Sequence, residues 1–246
     1  MKKISGIVLT LDAKQIHYDH YQAGNQAVVI IAHGFFNSKS SDLIQALIKN
    51  LYQWKVDVIA FDFRGHGKSD GLFYWTSREY HDLKAIIKFA REKYSRIGLI
   101  GFSLGAATSI IALTRSKSVH SCICISTPTE FNKIDYHFWD LDIENDIFYT
   151  LAGKGSKGKG VRPGPFWLKK DKPIKLVCRL NIPIFYIHGD ADWVIKKNHS
   201  ELLYKRTKSK KQLLIIKKGP HAEYLLRKNE KELMENIKQW FEETLL

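Results

Sequence analysis

Apolar residues along this chain follow two rhythms, and the alternation between them predicts the fold. "AVVIIAHG" (27–34), "VDVIAFDF" (56–63), "RIGLIGF" (96–102), "SCICIS" (121–126), "PIFYIHG" (183–189) and "QLLIIKK" (212–218) are short and mostly apolar. Such runs predict strands buried on both faces of a sheet. Between them, "SSDLIQALIKNLYQW", "SREYHDLKAIIKFAREKY", "SLGAATSIIALTR" and the C-terminal "NEKELMENIKQWFEETLL" carry helical spacing. "ISGIVLTL" and "QIHYDHYQA" instead alternate residue by residue around a short "DAK" turn, predicting an opening antiparallel hairpin. The pattern is that of an α/β fold, a doubly wound, mostly parallel sheet of about eight strands.

One segment breaks the rhythm. From Thr127 to about Asn181, between the sixth and seventh strands, more than fifty residues run without a clear period. A structureless loop of that length is uncommon inside a compact domain, so residues 127–181 are expected to form an insertion, with 1–126 and 182–246 as the core. Its first part holds six carboxylates from Glu130 to Asp146 beside Tyr136, Phe138 and Trp139; its second part is the basic "GKGSKGKGVRPGPFWLKK". The simplest reading is that these opposite charges pair. Gly153-Lys154-Gly155-Ser156-Lys157-Gly158 matches G-x-G-x-x-G but lacks a βαβ unit around it. The near P-loop from Gly153 to Lys159 ends in Gly160 where a magnesium-binding Ser or Thr belongs. Neither supports a nucleotide site.

A chain of 246 residues suffices for one large domain. Its net charge of +14 is concentrated in residues 153–175, with eight Lys/Arg against one Asp, and in 205–218, with seven Lys/Arg and no acid. Without a recognisable reading motif, these stretches are expected to be solvated surface and not a nucleic-acid site. Three cysteines are too few for a disulfide framework and lack metal-ligand company; Cys122 and Cys124 are expected to share one strand face in the core. The N-terminus alternates polar and apolar residues instead of forming a signal h-region, and no apolar run approaches a membrane span. A soluble, cytoplasmic protein without cofactor or metal is expected. Oligomeric state is not legible.

The candidate chemistry begins at Gly101-Phe102-Ser103-Leu104-Gly105, a G-x-S-x-G between a strand and a helix of small residues. The glycines let strand and helix approach while Ser103 takes a strained backbone and projects its hydroxyl, and the following helix points its positive end at the same place. A serine hydroxyl needs a base, and of ten histidines His221 is the best placed, in a Gly-Pro loop directly after the last strand. His33 and His188, each followed by glycine at a strand end, read as turn residues. The acid that orients the base is offered twice, by Asp190 and Asp192 in "YIHGDADWV". Either gives the chain order Ser, Asp, His.

With "HGF" at 33–35, "FDFRGHGKSDG" at 61–71, "GFSLG" at 101–105, "HGDADWV" at 188–194 and "GPH" ending at His221, the chain resembles the α/β-hydrolase superfamily. Within it the resemblance is to the bacterial esterase, monoacylglycerol-lipase-like and serine-aminopeptidase-like branch. It implies Asp192 as the acid with Asp190 shaping the turn, and His66 as structural. It also implies an oxyanion hole from the backbone N–H groups of Phe35 and Leu104, and a cap formed by the insertion. Relatives with carboxylate nucleophiles carry aspartate where Ser103 stands, so serine points to acyl transfer.

The expected function is a serine carboxylesterase cleaving small-molecule esters, of small to medium or aromatic acyl groups, through an acyl-enzyme. Phe138, Trp139, Phe166 and Trp167 are the candidate substrate pocket. Alternatives on the same triad are an aminopeptidase, binding a free amine through the acids of residues 130–146, and an acyl-thioesterase or acyltransferase, meeting coenzyme A phosphates through the basic stretch.

Overall fold

The computed structural model describes residues 1–116, 118–131 and 161–246. They form one eight-stranded sheet of order β1-β2-β4-β3-β5-β6-β7-β8. The strands are β1 (Lys2–Leu9), β2 (Gln15–Gln22), β3 (Ala27–Ala32), β4 (Asp57–Phe61), β5 (Arg96–Phe102), β6 (Ser121–Ile125), β7 (Ile184–Gly189) and β8 (Lys211–Ile216). β1 and β2 pair antiparallel, β2 joins β4 antiparallel, and every pair from β4 through β8 is parallel. This is the α/β-hydrolase arrangement expected from the sequence.

The all-apolar strands are buried on both sides, and alternate residues serve two cores. Val29, Ile31, Ile100, Phe102, Ile123 and Phe185 face one, packed by helix α1 (Asp42–Gln53) and the C-terminal helix α5 (Glu230–Thr244). Val28, Ile30, Leu99, Cys122, Cys124 and Tyr186 face the other, against α2 (Tyr80–Arg91) and α3 (Leu104–Leu113). The period of two along each strand therefore distributes the helices to both faces. Cys122 and Cys124 share a face as expected, their sulfurs 3.7 Å apart.

Helix α4 (Asn198–Arg206), between β7 and β8, is absent from the sequence expectation. It buries only His199, Ser200 and Leu203, too few to show a helical period among its polar residues. The basic stretch 205–218 falls on the end of α4 and on β8, the outer strand of the sheet. Lys211 donates to Tyr204 O and Thr207 O, and Lys210 pairs with Glu243 at 3.2 Å. Lysines on an edge strand oppose pairing with other chains. Among the described residues no helix is long and apolar enough to cross a membrane.

Both described ends of the expected cap lie against the core and each other. Ile174 N–H donates to Thr129 O, and Lys172 pairs with Glu130. Residues 162–164 run beside 65–75, with Phe73 N–H donating to Arg162 O and Arg162 N–H to Gly65 O. The two glycine-rich decoys, Phe138 and Trp139 all lie outside the described residues.

Candidate active site

Parallel strands end on one edge of the sheet, and the predicted residues gather there: Ser103 after β5, Asp192 after β7 and His221 after β8. Ser103 has φ 50° and ψ −118°, a conformation L-residues rarely adopt. Its N–H donates to Ile125 O at 2.8 Å, which fixes the bend against β6. Such backbone strain costs about 1–3 kcal/mol and persists only where the surroundings impose it. The flanking glycines provide the space. A Cβ at Gly101 would stand 2.6 Å from Ala106 Cα, and one at Gly105 would stand 2.3 Å from both Ala32 O and His33 O.

Ser103 Oγ lies 3.0 Å from His221 Nε2, and His221 Nδ1 lies 2.8 and 2.9 Å from the two Asp192 oxygens. With the Nδ1 proton donated to Asp192, Nε2 is left to accept the Ser103 hydroxyl. Asp192 Oδ1 also accepts the N–H groups of Val194 at 2.9 Å and Ile195 at 2.8 Å, and His188 Nε2 stands 3.2 Å from Oδ2. Burial alone would raise the Asp192 pKa, but the His221 and His188 rings and their hydrogen bonds outweigh it, holding the carboxyl well below the usual carboxylate range. It stays an anion beside the imidazole.

Asp190 has a different partner: its Oδ1 accepts Lys218 N–H at 2.5 Å, tying the β7 and β8 loops together. His188 Nδ1 meets Ser200 Oγ at 2.7 Å, which orients the ring behind Asp192. On the other side of the cleft, His33 Nδ1 donates to Gly34 O at 2.7 Å and His66 Nε2 to Phe35 O at 2.5 Å. Both rings are buried, and burial lowers their pKa values to about 4 and about 3. They act as neutral hydrogen bonders.

Sequence reasoning missed the apolar wall beside Ser103. Leu104, Phe73 and Ile195 form a buried cluster with Phe35, Trp75 and Phe131 packed on it. The rings run in a row: Phe35 to Trp75 at 4.7 Å and Trp75 to Phe131 at 5.6 Å. Trp75 and Thr76 have φ 56° and 76°, two successive left-handed residues, and Trp75 Nε1 donates to Gly164 O at 2.9 Å. The signal available was the aromatic run "FYW" before α2. Phe166 and Trp167, the predicted pocket residues that are described, are 62% and 73% exposed and line an open groove of about 370 Å³ whose other members include Phe131 and Lys170. That groove meets the aromatic row at Phe131.

Also missed was Glu223, whose buried Oε1 accepts the Gly34 N–H at 2.6 Å. Among the described residues no group of three or more His, Cys, Asp or Glu is placed to hold a metal ion.

A family model for the α/β hydrolase fold matches residues 27–145. The uncharacterized protein YfhR of Salmonella typhi is 28% identical over 203 residues, covering 80% of this chain and 65% of YfhR. The chain thus spans just under two thirds of that relative. The uncharacterized protein YqkD of Bacillus subtilis is 26% identical over 252 aligned positions, 92% of this chain and 76% of its own. Among solved structures, esterase Pf2001 of Pyrococcus furiosus superposes with TM-score 0.82 at 22% identity, covering all of this chain and 92% of that one. Over residues 27–145 the chain is similar in sequence to the α/β-hydrolase family, and its described residues have the α/β-hydrolase fold.

Proposed function

We propose that this protein is a serine hydrolase that cleaves carboxylic esters through an acyl-enzyme. The observation that carries this reading is the continuous hydrogen-bond path from Ser103 through His221 to Asp192, on a strained turn at the carboxyl edge of the sheet. Ser103 Oγ attacks the ester carbonyl carbon as His221 Nε2 takes its proton. The imidazolium so formed is stabilised by the Asp192 anion. The carbonyl oxygen, now negative, is received by the N–H groups of Phe35 and Leu104; one such donor supplies roughly 3–4 kcal/mol of transition-state stabilisation. His221 then protonates the leaving alcohol, and water, deprotonated by the same nitrogen, releases the acid.

The aromatic row beside Leu104 supports an apolar acyl group, of medium length or aromatic. The thioesterase alternative is less favoured by the described residues: Lys170 donates to Phe166 O and Leu168 O, and Lys172 pairs with Glu130, so these cations already have partners. The test is turnover of p-nitrophenyl butyrate beside an aminoacyl p-nitroanilide and an acyl-CoA of matched length. Ester hydrolysis is expected to dominate, to vanish in Ser103→Ala and to accompany fluorophosphonate labelling of Ser103. A folded Ser103→Ala variant with unchanged turnover overturns the reading.

A further inference from the structure

The two halves of the proposed machinery come from loops far apart in sequence. The base, His221, follows β8; the segment expected to offer an oxyanion donor, Gly34–Phe35, follows β3. One side chain spans them. Glu223 lies two residues after His221, is buried to 3% exposure, and its Oε1 accepts the Gly34 N–H from a residue 189 positions away. The Asn37 side chain also bonds this carboxylate. The carboxylate lies against the open side of Gly34, where a Cβ would stand 2.8 Å from Oε1.

The two carbonyls of this segment are held as well. Gly34 O receives His33 Nδ1, and Phe35 O receives His66 Nε2. With both carbonyls engaged, the peptide planes on either side of Phe35 have fixed orientations, and Glu223 holds the His33–Gly34 peptide that leads into them. The direction of the Phe35 N–H follows from them. Of the three anchors, only Glu223 belongs to the loop that carries the base.

We propose that Glu223 is a positioning residue: by accepting the Gly34 N–H it locks the Phe35 N–H in register with His221, so that nucleophile, base and oxyanion donor share one geometry. This rests on the reading of Ser103 as nucleophile and Phe35 N–H as oxyanion donor. It is an orienting contact and not a contact to the substrate. A transition state is sensitive to such register, because a displacement of about 1 Å can cost on the order of 100-fold in rate.

The test compares Glu223→Asp, which withdraws the acceptor by one methylene, with Glu223→Gln, whose amide oxygen can still accept the Gly34 N–H. Each is assayed with p-nitrophenyl butyrate after active-site titration with a fluorophosphonate, and with an alkyl boronic acid as tetrahedral-adduct inhibitor. For E223D, kcat is expected to fall by about 10- to 100-fold with KM within about twofold, and boronate inhibition to weaken by a similar factor. E223Q should stay within about threefold of the parent on both readouts. An E223D protein that matches the parent per titrated site, or one that loses kcat while boronate affinity holds, overturns the role. So does an E223Q protein as impaired as E223D. A parent with no Ser103-dependent turnover overturns the functional reading itself, and the role of Glu223 with it.

Discussion

His66 Nε2 lies 2.5 Å from the carbonyl oxygen of Phe35, and it makes that bond as a neutral ring, because burial lowers its pKa to about 3. An unfolded histidine titrates near pH 6.5. Between those values the unfolded chain binds the proton and the folded chain does not, so the contribution of His66 is fully present above about pH 6.5 and is lost as pH falls. His33, lowered to about 4, acts in the same sense, whereas Glu79 and Asp82, raised to about 7 and about 6 by burial, act in the opposite one. The parent's total slope therefore mixes signs, and the informative quantity is a difference. His66→Gln should be less stable than the parent at pH 7.5, and the gap should shrink by roughly 2 kcal/mol by pH 5. Urea unfolding at the two pH values measures this; a gap that stays constant would show that the His66 proton is not linked to folding.

Asp192→Asn keeps the size of the acid and removes its charge. Oδ1 already accepts the Val194 and Ile195 N–H groups, so the asparagine oxygen stays there and the NH2 group faces His221. A donor in that place favours the wrong ring tautomer, with Nε2 protonated toward Ser103. Turnover is expected to fall by on the order of 10³- to 10⁴-fold with little change in KM. Steady-state kinetics of the purified variant check this, and a loss below about tenfold would count against the proton path from Ser103 to Asp192.

The strands and the meeting of Ser103, Asp192 and His221 were legible because each depends on local sequence. A strand buried on both faces must be apolar throughout, as Val28–Ile31 is, and the bend at Ser103 needs glycine at 101 and 105 for reasons that a five-residue window contains. Helix α4 was not legible, since Leu203 is its sole buried apolar residue. Nor was the wall beside Leu104: Phe35, Phe73, Trp75 and Phe131 come from three separate loops, and no period links them. Glu223 hid for a similar reason. A glutamate after a histidine reads as surface, and only the fold brings it to Gly34.

Trp75 stands between Phe35 and Phe131 in the aromatic row, so under the proposed esterase function its indole would set how far an acyl chain extends along that wall. Trp75→Ala is expected to leave room for two or more further methylenes, each worth about 0.8 kcal/mol when buried. The ratio of kcat/KM for the p-nitrophenyl octanoate to that for the acetate should rise by about tenfold or more. A panel of p-nitrophenyl esters from acetate to decanoate reads this ratio, and an unchanged profile would remove Trp75 from the acyl site.

Gly105 links the turn at Ser103 to the strand end that carries His33. Its Cα faces two backbone carbonyl oxygens, Ala32 O and His33 O, and a Cβ would come within 2.3 Å of each. Backbone of β3 cannot swing aside as a side-chain tip can, so Gly105→Ala must push α3 away from the strand. The shift moves Leu104, which is the first residue of α3, relative to Phe35, and so parts the two expected oxyanion donors. Two losses should appear together: about 2 kcal/mol or more of unfolding free energy from overpacking, and at least about 100-fold in kcat/KM from the misaligned donors. Urea unfolding and ester hydrolysis on one preparation separate them, since stability lost with full turnover would mean that the close approach of α3 to β3 serves packing alone.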